Sequence, residues 1–188
     1  MSECWHGVGH WLEGEDEAAY LRLRNAAGLM KRQKNPKSLA FVYGYYGAIL
    51  AQRGRASEAR EKFRLGRYLM QQSNNRNHLD ALKVLVGVAA AALARDAHGA
   101  GDTAAYERHR NMATQRFDFA FQRTPNSEAF PNGLIHPAAR SADVRLGLCL
   151  LKRALSELPD RPGAQLIRFA SLERPVDALE IPPNDPVD

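Results

Sequence analysis

The sequence predicts an all-α protein of about six or seven helices, stacked as antiparallel hairpins and followed by an extended C-terminal tail. Apolar residues recur at spacings of three and four, and capping residues and turn glycines separate these stretches. A residue pattern also repeats after 40 positions. The chain has 188 residues, 45% hydrophobic and 25% charged, which is typical of a globular protein. We expect one helical domain over 1–175 and a proline-rich acidic tail over 176–188.

Most predicted helices have their own start or stop signal. The alternating residues 116–121 also fit a strand, but no other segment offers a partner strand, so this stretch is predicted helical. The three prolines of 124–140 predict a loop. The predicted helices are 36–53 after Asn35 and before Gly54, one capped by Ser57, one from Asn77 to about Ala97, one from Asp102 or Thr103 to about Gln122, and one from Ser141 to before Pro159.

The 40-residue repeat describes a helix, a glycine turn and a second helix. Residues 5–8 align with 45–48, and Gly14 aligns with Gly54. Small residues at matching positions allow the two helices of a unit to approach closely, with Phe63 filling the gap between them. This self-similarity predicts that the units stack side by side.

Large, small, glycine and aromatic residues follow one another at a regular spacing over 40–72, at Tyr43, Tyr46, Gly47, Leu50, Gly54, Ala59, Phe63 and Gly66. In this spacing the unit resembles a tetratricopeptide (TPR) repeat, and residues 3–32 resemble it more weakly. The chain departs from that family in its period, which is usually about 34 residues, and in lacking a closing proline at Gln71. An unrelated helical bundle would give a similar pattern.

This resemblance implies that a peptide or protein binds in a concave groove lined by the first helix of each unit. A second interpretation places the same aromatic side chains in the core, or makes the first unit, with its two tryptophans, the face of a homodimer. Carried over by position, the groove residues are Phe41, Gly44, Tyr45, Ala48 and Gln52 in the clearest unit, and Cys4, Val8, Trp11 and Leu12 in the first.

Charge is distributed in three blocks. Residues 1–17 carry a net charge of −5 and residues 156–188 a net charge of −4, which leaves +14 on residues 18–155. Such a basic surface favours an acidic protein partner, and nucleic acid is the alternative. If the tail after residue 175 folds back, it would act as a pseudo-ligand on this face. Its basic residues are Arg53, Arg55, Arg60, Arg64 and Arg67, of which the last three share one helical face.

The sequence holds no glycine-rich phosphate loop, nucleophile elbow or HExxH motif, so we expect no enzyme activity. A small helical enzyme centred near His136 is the remaining catalytic alternative. Cys4, His6 and His10, with Glu13, have metal-ligand side chains, but Cys4 and His6 lie on different helical faces. We therefore expect no metal and no cofactor.

The predicted function is a non-catalytic protein–protein interaction module, such as an adaptor, chaperone or inhibitor of a bacterial-type machinery. The alternative is a nucleic-acid-binding regulator. The longest apolar stretch, 82–94, has 13 residues, fewer than the roughly 20 that span a bilayer. With two cysteines and no secretory signal, the chain is expected in the cytoplasm.

Overall fold

The computed structural model describes residues 1–73, 76–122 and 142–160. In these ranges the chain forms seven α-helices and no β-strand, which confirms the all-α prediction. None of the helices in the described ranges is both long and apolar enough to cross a membrane. The predicted loop and tail lie outside the described residues. The helices are α1 (Ser2–Glu13), α2 (Asp16–Arg32), α3 (Pro36–Gln52), α4 (Ala56–Gln72), α5 (Arg76–Gly99), α6 (Thr103–Gln122) and α7 (Ala142–Ser156).

Local capping explains where several helices begin. The amide of Ser38 donates a hydrogen bond to Asn35 Oδ1 at 3.1 Å, and Asp102 caps α6 in the same way. Each bond satisfies a backbone donor that the first turn of a helix leaves without a partner. The predicted cap at Ser57 is wrong, because α4 already begins at Ala56.

Short turns fold α1 with α2 and α3 with α4 into antiparallel hairpins. Gly14 and Gly54 adopt φ angles of 89° and 73°, a left-handed conformation that costs other residues energy. Between α3 and α4, a Cβ added at Gly47 would lie 3.3 Å from the Ala59 carbonyl oxygen and from the Phe63 ring. This contact confirms the predicted close approach of the two helices.

The hairpins stack with their first helices running in the same direction. The rings of Trp5 and Phe41 lie 5.2 Å apart at one end of α1 and α3, and Trp11 Nε1 donates to Gln52 Oε1 at 2.7 Å at the other end. The Arg95 guanidinium of α5 then donates to the Gln52 carbonyl oxygen at 3.0 Å. Helices α1, α3 and α5 therefore form one layer, an arrangement compatible with a helical repeat.

Helix α7 packs along α5 and also reaches α1, so it lies against this layer. Near its start, a Cβ at Gly147 would lie 3.2 Å from Val84, and after its end Glu157 accepts a hydrogen bond from Arg95 at 2.9 Å. These two contacts show that α7 and α5 are parallel. Leu151 is fully buried, as are most leucines of α7, so this helix belongs to the hydrophobic core.

Candidate functional site

The side chains predicted to line a groove of first helices lie inside the protein. Five of the six principal residues are at most 4% exposed, and the sixth, Gln52, is half-buried. Cys4 and Gly44 are buried as well, whereas Leu12 is 40% exposed. In this conformation the five residues pack as core and do not present their side chains to a partner. They are Val8, Trp11, Phe41, Tyr45 and Ala48.

Helix α7 is the physical reason that no such groove is open near Trp11 and Gln52. An Arg153 Nη of α7 donates to the Trp11 carbonyl oxygen, and the other lies 3.3 Å from a carboxylate oxygen of Asp16. The cavity that remains between these residues and Leu150 of α7 is about 10 Å³. That volume holds about one water molecule and is too small for a peptide. We call this part of the molecule the α7 side.

Both polar atoms of the Gln52 side chain form hydrogen bonds within the α7 side. Its Oε1 accepts from Trp11 Nε1, and its Nε2 donates to Asp16 Oδ2 at 2.7 Å. Asp16 in turn pairs with Arg153. Each of these polar groups therefore has a partner within the chain, as buried polar groups generally do.

Two residues of the predicted basic face, Arg53 and Arg55, form contacts within the protein that stabilise the fold. Arg53 pairs with Glu17, and its guanidinium lies 4.4 Å from the centre of the Tyr20 ring. Arg55 donates to Glu58 at 2.6 Å and to the Tyr20 hydroxyl at 2.6 Å. These hydrogen bonds raise the pKa of Arg55. Both arginines thus join α2 to the turn before α4.

The other three residues of the basic face remain exposed on α4. Among the described residues, no carboxylate pairs with Arg60, Arg64 or Arg67. Arg60 faces α6: burial, together with the charges of Arg108 and Arg60, lowers the pKa of His109 on that helix. The positive charge of this part of α4 is therefore directed towards α6 and solvent.

A groove of about 710 Å³ lies between α4 and α6, with α5 as its floor. Helices α4 and α6 both pack on α5 and much less on each other, which leaves this space open. We call it the α4–α6 groove. Four of its lining residues are cationic and none of the described lining residues is acidic. The cations are Arg64, Arg67, Lys83 and Arg116.

The surface beneath these charges is apolar and aromatic. Leu82 is buried at the base, and Leu79, Val86 and Phe63 are half-buried beside it. Tyr68 is 59% exposed at the edge. Of the four cations, Lys83 pairs with Asp80 of its own helix at 2.8 Å. The three arginines have no carboxylate partner among the described residues.

The sequence interpretation found only part of this groove. The spacing of Arg64 and Arg67 placed both on one face of α4, but Arg116 and Lys83 come from distant segments. Their approach depends on α4 and α6 lying side by side on α5.

The grouping of Cys4, His6 and His10 does not form. Cys4 is buried and His6 is exposed on the other side of α1. Instead, His10 Nδ1 lies 2.5 Å from a carboxylate oxygen of Glu15, and ligand atoms of His10, Glu13 and Glu15 fall within 4.8 Å of one another. These three side chains lie at or near the protein surface, where a hydrogen bond joins His10 to Glu15.

No protein-family model, curated protein or solved structure matches this chain. The resemblance to TPR repeats therefore depends on the residues of 40–72. His136, the centre of the enzyme alternative, lies outside the described residues. Within the described ranges, the α4–α6 groove combines arginines that have no carboxylate partner with an apolar floor.

Proposed function

We propose that this protein is a non-catalytic interaction module, built of TPR-like hairpins, that binds an acidic segment of a protein partner in the α4–α6 groove. The observation that carries the proposal is the set of three arginines without carboxylate partners around an apolar floor. An adaptor, chaperone or inhibitor acting in the cytoplasm would use such a surface, and the chain's two cysteines fit a reducing compartment.

The chemistry of the groove defines the ligand. Arginine binds carboxylates through two parallel hydrogen bonds, and these bonds strengthen where water is excluded. Leu79, Leu82 and Val86 offer aliphatic surface next to these charges, and burial of such surface contributes roughly 25 cal/mol per Å². A segment that alternates acidic and apolar residues satisfies both demands at once.

The same features favour protein over nucleic acid. Single-stranded nucleic acid binds to basic grooves in which successive bases stack on aromatic rings. In the described lining the aromatic side chains are Tyr68, exposed at the edge, and Phe63, which is half-buried, while the remaining apolar side chains are aliphatic, namely Leu79, Leu82 and Val86. The phosphates of a nucleic acid would bind the arginines, but a nucleic acid has no aliphatic side chains to pack on the aliphatic surface of the groove.

The test measures binding of a fluorescein-labelled peptide, in which Asp and Glu alternate with Leu and Phe, to the full chain by fluorescence anisotropy. We expect the double substitution Arg64→Ser and Arg67→Ser to weaken binding by about three- to tenfold, since each partly exposed ion pair contributes up to about 1 kcal/mol. A peptide with Leu and Phe replaced by Ser should also bind more weakly.

The matched control is Lys31→Ser with Arg32→Ser, which removes the same charge from exposed positions at the end of α2. It should leave the affinity unchanged. Equal losses in the two double variants would mean that net charge alone drives binding. Tighter binding of single-stranded or duplex DNA, with a steep salt dependence, would replace the proposal by the nucleic-acid alternative.

A further inference from the structure

We propose that residues 176–188 of this chain dock in the α4–α6 groove and compete there with an outside partner. The proposal rests on the function proposed above, namely that the groove accepts acidic, apolar segments. It identifies one such segment within the chain itself. The argument combines charge, side-chain pattern and the distance that the chain must cover.

The segment 176–188 is the chemical complement of the groove. It contains four carboxylates and no lysine or arginine. Leu179 and Ile181 flank Glu180, so apolar and acidic side chains alternate there. The groove presents the opposite charge above a matching aliphatic floor. The four carboxylates are Asp177, Glu180, Asp185 and Asp188.

The other acidic block of the chain is already paired. Residues 1–17 carry a net charge of −5, but most of their carboxylates bind basic side chains of the helical stack. That block therefore contributes to folding and cannot also neutralise the groove. Its ion pairs are Glu3 with Arg22, Asp16 with Arg153, and Glu17 with Arg53, and Glu15 is hydrogen-bonded to His10.

The described part of the chain ends beside α6, the helix that contributes Arg116 to the groove. The Tyr106 hydroxyl of α6 donates to Asp160 at 2.5 Å, and Arg110 of α6 pairs with the same carboxylate. Arg116, on the groove wall, lies about 9 Å further along α6 at 1.5 Å per residue. Residues 161–175 can span up to roughly 50 Å. Length therefore does not prevent the segment from reaching the groove.

The experiment places a photo-cross-linker in the groove of the full chain, as Tyr68→p-benzoylphenylalanine. Tyr68 is largely exposed, so this substitution leaves the core intact. After irradiation at low protein concentration, we expect mass spectrometry of the monomer to find cross-links from position 68 to residues 176–188. The added substitutions Asp177→Asn and Glu180→Gln should reduce their yield several-fold.

The control places the same group at Leu21, which is 40% exposed on α2 and is not part of the groove. It should give no cross-link to 176–188. The absence of such cross-links from position 68, equal yields from the two positions, or cross-links found only in covalent dimers would overturn the proposal.

A second measurement separates this proposal from the function on which it rests. Neutralising all four carboxylates of 176–188 should increase the affinity of the labelled acidic peptide several-fold, because an intramolecular competitor has a high effective concentration. Peptide binding without tail cross-links would contradict only the docking of the tail. Tail cross-links in a protein whose neutralised variant does not bind the peptide would contradict only the proposed function.

Discussion

The α7 side and the α4–α6 groove use similar residues in opposite ways. On the α7 side, Arg153 and Gln52 bind Trp11 and Asp16, and almost no space remains between the helices. In the α4–α6 groove, arginines surround about 710 Å³ of open space and lack carboxylate partners among the described residues. The comparison teaches that an arginine indicates a binding surface only when the fold itself does not satisfy it.

The largest expected effect is on the free energy of unfolding, to which a buried side chain on the α7 side should contribute far more than an exposed one in the groove. Trp11→Ala removes a side chain that is 1% exposed and hydrogen-bonded to Gln52. Replacement of such a buried aromatic residue costs about 3–5 kcal/mol of unfolding free energy, measured by urea denaturation. The matched change Tyr68→Ala in the groove, at a position 59% exposed, should cost about 0.5 kcal/mol or less. Similar losses of unfolding free energy for both variants would contradict the assignment of Trp11 to the core and Tyr68 to the surface.

Gly87 tests the packing at the point where α5, α6 and α7 meet, and Gly9 of α1 is its control. A Cβ at Gly87 of α5 would lie 2.8 Å from the Arg116 Cβ of α6 and 3.1 Å from Leu151 of α7. Gly87→Ala should therefore destabilise the protein by about 1–3 kcal/mol. Gly9 of α1 has no atom within 4 Å of an added Cβ, so Gly9→Ala should stabilise it by about 0.5–1 kcal/mol. Thermal unfolding of both variants measures the sign, and a stabilising Gly87→Ala would contradict the close approach of α6 and α7.

A smaller effect concerns pH and the contact between α6 and Asp160. Burial and the nearby Asp160 carboxylate raise the pKa of Tyr106 to about 12, whereas an unfolded tyrosine loses its proton near pH 10. Between these values the unfolded state binds fewer protons, so stability present below about pH 10 is lost as the pH rises towards 12. In urea unfolding between about pH 10 and 12, the free energy of unfolding should fall more steeply with pH for the natural protein than for Tyr106→Phe. Parallel curves would mean that Tyr106 titrates as it does in the unfolded chain.

The same contact has an opposite dependence at acid pH. Although burial acts against it, the hydrogen bond from Tyr106 and the charge of Arg110 hold the pKa of Asp160 below its ordinary value. The contribution of this carboxylate is present above about pH 4 and is lost as the pH falls through its lowered pKa. The stability difference between the natural protein and Asp160→Asn should therefore shrink in acid, as measured by urea unfolding. A difference that is constant with pH would contradict an ionised Asp160 in this contact.

The helices could be predicted from sequence because their signals are local. Asn35 and Asp102 act within one turn of the helices that they cap, and Gly54 ends α3 through its own backbone conformation. The predicted cap at Ser57 was wrong by little, since helix ends depend on a balance of weak local terms.

The sites were harder to predict because they depend on distant segments. A spacing of three or four places Trp11 on one face of α1 and Tyr45 on one face of α3, but it does not say what packs on those faces. Helix α7, which is distant in the sequence, covers Trp11, so this side chain lies in the core and does not line a groove. Likewise, Arg116 joins Arg64 only through the stacking of α4 and α6 on α5.

The most direct test of the central claim is an NMR titration of the full chain with the labelled acidic peptide. We expect chemical-shift changes that cluster at the amides of Arg64, Tyr68, Leu82 and Arg116, with little change at Trp11. A cluster of changes at Trp11 and its neighbours on the α7 side instead would show that the ligand displaces α7 and that the α4–α6 groove is not the binding surface.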